Sequence, residues 1–241
     1  MSVWLTIPSA RPLAAVDGLF HKWRARGYKI ALWRDPNTDL PAHASHAIME
    51  PYPGYCKAVN QLIRGVMELD PEAEWFIAAG DDTEPDAAHY SEEIARQCRE
   101  HFAGSTFGVM QPTGDRWHEG VGGFSNAPID RVAGSAWYGR EYCRRMYGGC
   151  GPLHEGYEHM YEDEEAQLVA EKMGVYWQRR DLVHFHRHWG RGATDGERIE
   201  LKPGTIPPHL VKWNTAEHWQ KAKALFESRR AAGFPGYEPI E

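Results

Sequence analysis

Short apolar runs alternate with amphipathic stretches along the first half of the chain. Val3 to Ile7 is an apolar run stopped by Pro8, and it predicts a strand. Pro12 to Arg26 follows with Leu13, Val16, Leu19, Phe20 and Trp23 at helical spacing, closed by Gly27. Tyr28 to Trp33 predicts a second strand, and Arg34-Asp35-Pro36-Asn37 leaves it. Gly54 to Leu69 carries Ala58, Leu62, Val66 and Leu69 on one helical stripe. Glu74 to Ala79 is a third strand and runs into GDDTEPD, residues 80 to 86. A helix over Asp86 to Phe102 and a strand over Ser105 to Met110 complete the pattern. Strand and helix in alternation imply an α/β domain with a mainly parallel sheet. Such sheets bind ligands beyond the carboxyl ends of their strands. Arg11, Arg34-Asp35 and Asp81-Asp82 all follow strands and should converge at that edge.

The second half is less regular. Gln111 to Ile129 is rich in Gly, Pro and polar residues and reads as a surface loop carrying Trp117 and His118. Val132 to Tyr138 predicts a strand, Glu162 to Met173 a helix ended by Gly174, and Val175 to Phe185 a returning strand. Residues 190 to 212 look irregular. Asn214 with Glu217 has the form of a capping box for a last helix to Ala232, closed by Gly233 and Pro235.

At 241 residues with 42% hydrophobic content the chain is sized for one large domain with a real core. The expected division is a main body over 1–190 (halves 1–110 and 111–190), with 191–241 as a C-terminal extension of the same domain. No apolar run approaches the roughly 18 residues of a membrane span, and no signal peptide is seen, so a cytoplasmic protein is expected. Cys56, Cys98, Cys143 and Cys150 form no CxxC pair and read as reduced thiols. A net charge of −7 argues against a general polyanion-binding surface. One basic, aromatic island stands out: Arg179, Arg180, Arg187 and Arg191, with His184, His186, His188 and Trp189, against the single acid Asp181.

Two adjacent carboxylates at a strand end repel and lose hydration, so Asp81 and Asp82 need a compensating partner. A divalent cation is one answer, since hard cations take oxygen ligands. The other is an acidic turn in which Asp86 caps the next helix. Glu162, Asp163, Glu164 and Glu165 open a helix, where acids are favoured by about 0.3–1 kcal/mol each. Four in a row exceed that need. His184 and His186 share a face if their strand is regular, and imidazole with carboxylate can hold Mn²⁺, Mg²⁺ or Zn²⁺.

These pieces, in this order, resemble the GT-A-fold glycosyltransferases, especially inverting family 2. The matching motifs are VWLTIPSAR, Gly54 through Asn60, GDDTEPD, GSAWYGREYCRRMYGG, the Glu162-Asp163 pair and RRDLVHFHRHW, spanning about residues 3 to 190. The resemblance implies a Rossmann-like nucleotide-sugar fold and transfer of a sugar from a nucleotide diphosphate, a UDP-sugar above all, to an acceptor hydroxyl with inversion. Asp163 would be the general base, and Asp82 with His186, or with His184 in its place, would hold Mn²⁺ or Mg²⁺. Pro8, Ser9, Arg11, Arg34, Asp35, Asn60 and Asp81 would bind the nucleotide sugar. Trp137, Glu162 and His184 would meet the donor or acceptor sugar, and Arg179 and Arg187 the phosphates. Tyr138 joins Trp137 in that expectation. Acceptors left open are a hydroxymethylated base in DNA, as in phage-type enzymes of this fold, a polysaccharide precursor, or a small molecule. A virally encoded enzyme would work in the host cytoplasm. The family's first metal-motif Asp is Gly80 here, so the acidic clamp is incomplete. A metal-dependent nucleotidyltransferase or phosphohydrolase, and a non-catalytic nucleotide-sugar binder, use the same residue types.

Overall fold

In a computed structural model, residues 1–115, 134–187 and 208–241 are described. Their elements run β1 (Ser2–Pro8), α1 (Leu13–Ala25), β2 (Lys29–Arg34), β3 (His46–Met49), α2 (Tyr55–Leu69), β4 (Ala73–Ala78) and β5 (Thr83–Glu84). Then follow α3 (Ser91–His101), β6 (Val109–Pro112), β7 (Trp137–Gly139), α4 (Arg140–Arg145), α5 (Glu162–Lys172), β8 (Tyr176–Arg179), β9 (Phe185–His186) and α6 (Ala216–Ala231). Seven strands form one sheet in the order β3-β2-β1-β4-β7-β6-β8. β1 pairs in parallel with β2 and β4, and β2 with β3. β7 alone is reversed, antiparallel to β4 and β6, and β8 returns parallel to β6. The expected α/β class with a mainly parallel sheet is therefore what the chain forms.

Alternation along the buried strands divides the core into two layers. Val3, Leu5, Ile7, Ile30, Leu32, Trp75 and Ile77 pack with Val16, Phe20, Trp23, Ile94 and Cys98 from α1 and α3. Trp4, Trp33 and Phe76 face the other way, onto Leu62 and Val66 of α2 and Val169 of α5. Phe226 of α6 and Phe234 join this second layer, so the C-terminal segment shares the core of the sheet. Among the described residues no helix is long and apolar enough to cross a membrane. Cys56, Cys98 and Cys143 are buried, Cys150 is exposed, and all four are free thiols.

Several local expectations are corrected. β3 was not anticipated: all four of its residues are only partly buried, so it carries no apolar alternation. The strand expected over Val175 to Phe185 is two. β8 ends at Arg179, whose guanidinium grips Asp181 at 2.6 and 2.8 Å across a tight turn. β9 then pairs with β5 in a separate two-stranded sheet. α3 starts at Ser91, because Asp86 Oδ1 accepts from the N–H groups of Ala88 and His89 and holds a turn ahead of the helix. The cap of α6 is Thr215, whose hydroxyl accepts from His218 N at 3.2 Å, in place of the Asn214–Glu217 box. Residues 116–133 and 188–207 lie outside the described residues, so the loop with Trp117 and His118, and His188, Trp189 and Arg191, are not placed.

Candidate active site

Because β1, β2 and β4 are parallel, their carboxyl ends share one edge, and the polar residues that follow them meet there. Ser9 Oγ donates to Asp81 Oδ2 at 2.7 Å. Arg11 Nε donates to Asp81 Oδ1 at 2.8 Å, and its other nitrogen lies 3.6 Å from Asp82 Oδ2. The two carboxylates thus share a guanidinium. The cation expected to reconcile them is not required for that purpose, since Arg11 already offsets their repulsion.

The β5–β9 sheet delivers the histidine. Thr83 is opposite His186 in register, and Arg187 N donates to Asp82 O at 2.7 Å. These bonds bring His186 Nε2 to 3.1 Å from Asp82 Oδ1. Gly80 makes room for this. A Cβ added there would sit 2.7 Å from Asp82 Oδ1. An Asp at this position, as in the resembled family, would push the Asp82 carboxylate off its present place. The departure at Gly80 and the Asp82–His186 contact are one feature.

The α5 N-terminus faces the same cluster. Tyr161 ahead of it has a left-handed backbone, φ 70, with no side-chain cap. Such strain clusters at functional sites. Burial raises the Asp163 carboxyl above its usual range, opposed by hydrogen bonds from the backbone and by the nearby His186 charge. Burial raises the Glu162 carboxyl far more, aided by the Asp163 charge. Glu162 is only 8% exposed, and its Oε2 has no partner among the described residues. Thus Asp81, Asp82, His186 and Asp163 gather in one region.

At the β2 end, Arg34 is buried, with its side chain donating to Arg11 O at 3.1 Å and to Thr38 Oγ1 at 3.1 Å. Its Nη1 has no partner among the described residues. Asp35 Oδ1 accepts from Tyr52 N at 3.0 Å. Pro8 and Ser9 turn the chain out of β1, and Ser9 N donates to Trp33 O at 3.0 Å. These residues sit together at the ends of β1 and β2.

Other candidates lie elsewhere. Trp137 is fully buried in the α1/α3 layer, so it meets no sugar. Tyr138 is buried in the opposite layer. His184 is wedged between Trp23 and Trp137, with ring centroids 5.2 and 6.3 Å away. Neither of its nitrogens has a hydrogen-bond partner among the described residues, and burial holds its pKa down to about 3. It is a neutral core residue. The turn after β8 breaks the alternation that would have put it on the face of His186. Asn60 is buried and binds Leu153 O at 2.8 Å, tying α2 to the 150s segment. Arg179 is engaged by Asp181 and by Gln97 at 2.8 Å, so it does not meet the phosphates. Arg187 stays beside the site, but its guanidinium contacts Glu84 at 2.5 Å, and Glu84 also pairs with Lys22.

Two residues were missed. His159 is held low in pKa by burial, against the raising charges of Asp82 and Asp81, and so lies within their reach. Tyr52 lies near Glu162 and Asp81, whose charges help burial to raise its hydroxyl pKa. Neither sits in a patterned stretch of sequence.

Among the described residues no group of three His, Cys, Asp or Glu side chains could hold a metal ion. Asp82 and His186 nevertheless supply an oxygen and a nitrogen 3.1 Å apart at the strand edge. That pair offers a cation one carboxylate oxygen and one imidazole nitrogen and leaves its other positions to phosphate and water.

No family model matches the chain. No curated protein matches it. It is similar to a solved structure described as a glycosyltransferase involved in the glycosylation of the major capsid of PBCV-1. The match has 10% identity, covers 58% of this chain and 60% of that one, and has a TM-score of 0.31. At that identity and score the functional reading rests on the residues.

Proposed function

We propose that the protein is an inverting glycosyltransferase that moves a sugar from a nucleotide diphosphate, a UDP-sugar above all, to an acceptor hydroxyl. The observation that carries this reading is the approach of His186 to Asp82 at 3.1 Å beside the half-buried Asp163 carboxyl. A nucleotide pocket, a phosphate-facing pair and a base are what this reaction needs within one site.

Arg34, Asp35 and Tyr52 line the nucleoside end, where the unpartnered Arg34 Nη1 is a waiting donor. Arg11 and Ser9 fix Asp81. Asp82 and His186 would hold Mn²⁺ or Mg²⁺, which when bound neutralises the diphosphate as a Lewis acid and is worth several kcal/mol. Asp163 takes the proton of the acceptor hydroxyl. The freed oxygen forms a bond to the anomeric carbon from the face opposite the phosphate. The carbon–oxygen bond to phosphate breaks, and its electron pair leaves on the nucleoside diphosphate. A single displacement inverts the anomeric centre, and the base contributes about 10²–10⁴ in rate.

A thermal-shift panel of nucleotide sugars, with and without Mn²⁺, tests the class. A specific donor raises the melting temperature through about 2.7 kcal/mol at a hundredfold excess over its Kd. A panel that gives no shift with any nucleotide sugar would reject the reading.

A further inference from the structure

The C-terminal segment brings three aromatic rings to the α5 N-terminus. The 3-10 turn Pro208–Trp213 ends in Trp213, whose ring meets Tyr52 edge-on at 5.5 Å. His218, at the start of α6, meets Trp213 at 5.7 Å. Trp219 meets Tyr161 edge-on at 6.0 Å, and Tyr161 directly precedes Glu162 and Asp163. Tyr52 itself lies by Glu162. These rings therefore border the carboxylates on two sides.

Trp219 is 41% exposed, although the core beside it already holds Phe226. A large ring left open next to a buried acid has a use in binding. Aromatic faces take the C–H face of a sugar ring, and hydrogen-bonding groups take its hydroxyls. Glu162 supplies such a group: it is 92% buried, from its 8% exposure, and its Oε2 has no partner among the described residues.

We infer that Trp213 and Trp219 form the acceptor subsite and that the acceptor is an uncharged glycan, an inference that rests on the glycosyl-transfer reading. Charge favours this over a nucleic acid. Asp163 and Glu164 lie beside Tyr161, and Glu158 pairs with Lys221. Two of the island's four arginines are engaged, Arg179 by Asp181 and Arg187 by Glu84. A polyanion would meet carboxylates at the place where its hydroxyl must react. The platform is anchored: Arg229 grips the buried Glu165 at 2.7 and 2.8 Å, which ties α6, the helix with Trp219, to α5, the helix with Asp163.

The test is saturation-transfer NMR on the full chain with a panel of neutral gluco-, manno-, galacto- and xylo-oligosaccharides, a short DNA duplex, and UDP and the other nucleoside diphosphates as donor-site probes. At least one oligosaccharide should bind, Trp213→Ala and Trp219→Ala should each weaken it about tenfold, and UDP binding should not change in Trp219→Ala. Trp213→Phe and Trp219→Phe keep a stacking face and should retain most of the affinity, which separates lost stacking from lost folding. The inference is overturned if no neutral oligosaccharide binds, if the alanine variants bind as the wild type does, or if the duplex displaces the sugar. Failure of UDP and of the other nucleoside diphosphates to bind the wild type would instead reject the glycosyl-transfer reading, whatever the sugars do.

Discussion

Asp82 and His186 meet at 3.1 Å because the strand that follows Asp82 pairs with the strand that carries His186. The contact is built by backbone pairing, which makes it a designed position and gives the surrounding residues testable roles.

Asp163 must be ionised to accept a proton. Its folded pKa is raised by burial, partly countered by backbone hydrogen bonds and His186. Activity should therefore fall as pH drops through a value above the ordinary aspartate range near about 3.9. Asp163→Asn should lose about 10²–10⁴ in turnover while leaving UDP affinity within about twofold. A pH profile of kcat/KM that stays flat down to pH 4, or an active Asn variant, would remove Asp163 from the mechanism.

Gly80→Ala puts a methyl group 2.7 Å from Asp82 Oδ1. The atom that must give way is the end of a flexible side chain, so the fold should persist. The carboxylate should swing away from His186, and Mn²⁺ enhancement of donor binding should drop severalfold at unchanged melting temperature. Full retention of the enhancement would show that the present Asp82 position is unimportant.

His184 offers a stability test. Its folded pKa of about 3 lies below the unfolded value of 6.5. Below about pH 6.5 the unfolded chain gains a proton that the folded chain refuses, so stability falls with acid by up to about 1.4 kcal/mol per pH unit. His184→Leu removes two buried unpartnered nitrogens and should stabilise by about 1 kcal/mol at pH 7, with less loss on acidification. Urea titrations at pH 7 and 5 measure both. A destabilised variant at pH 7 would mean that the ring's contacts with Trp23 and Trp137 outweigh its desolvation.

Glu165 is buried with Arg229 and accepts from the hydroxyls of Tyr147 and Tyr157 at 2.9 and 2.8 Å. Arg229→Met would leave that carboxylate without its cation and should cost about 3–5 kcal/mol. Adding Glu165→Leu should recover most of the loss in urea unfolding. Additive losses in the double variant would argue against the pair as the link between α5 and α6.

The sequence announced the parallel-sheet edge well. β1, β2 and β4 are buried apolar runs with few alternative readings, and each ends in the polar residue that the site uses: Ser9, Arg34, Asp81. It announced the α5 acids too, because four in a row exceed what a helix start needs. It misled where a turn broke periodicity. The Arg179–Asp181 grip ends β8, so the register that would align His184 with His186 never exists. It was silent where contacts are purely tertiary. Tyr52, His159 and Trp213 lie in loops or a 3-10 turn, with no period to mark them, and only folding carries them to the carboxylates.

The central claim is that Asp82 and His186 serve a nucleotide pyrophosphate through a divalent cation. Calorimetric titration of UDP into the wild type, Asp82→Asn and His186→Gln, each with Mn²⁺ and with chelator, tests it directly. The account predicts at least tenfold tighter UDP binding with Mn²⁺ in the wild type and little or no Mn²⁺ effect in either variant. Equal UDP affinity in the wild type with and without Mn²⁺, or an undiminished Mn²⁺ effect in both variants, would contradict it.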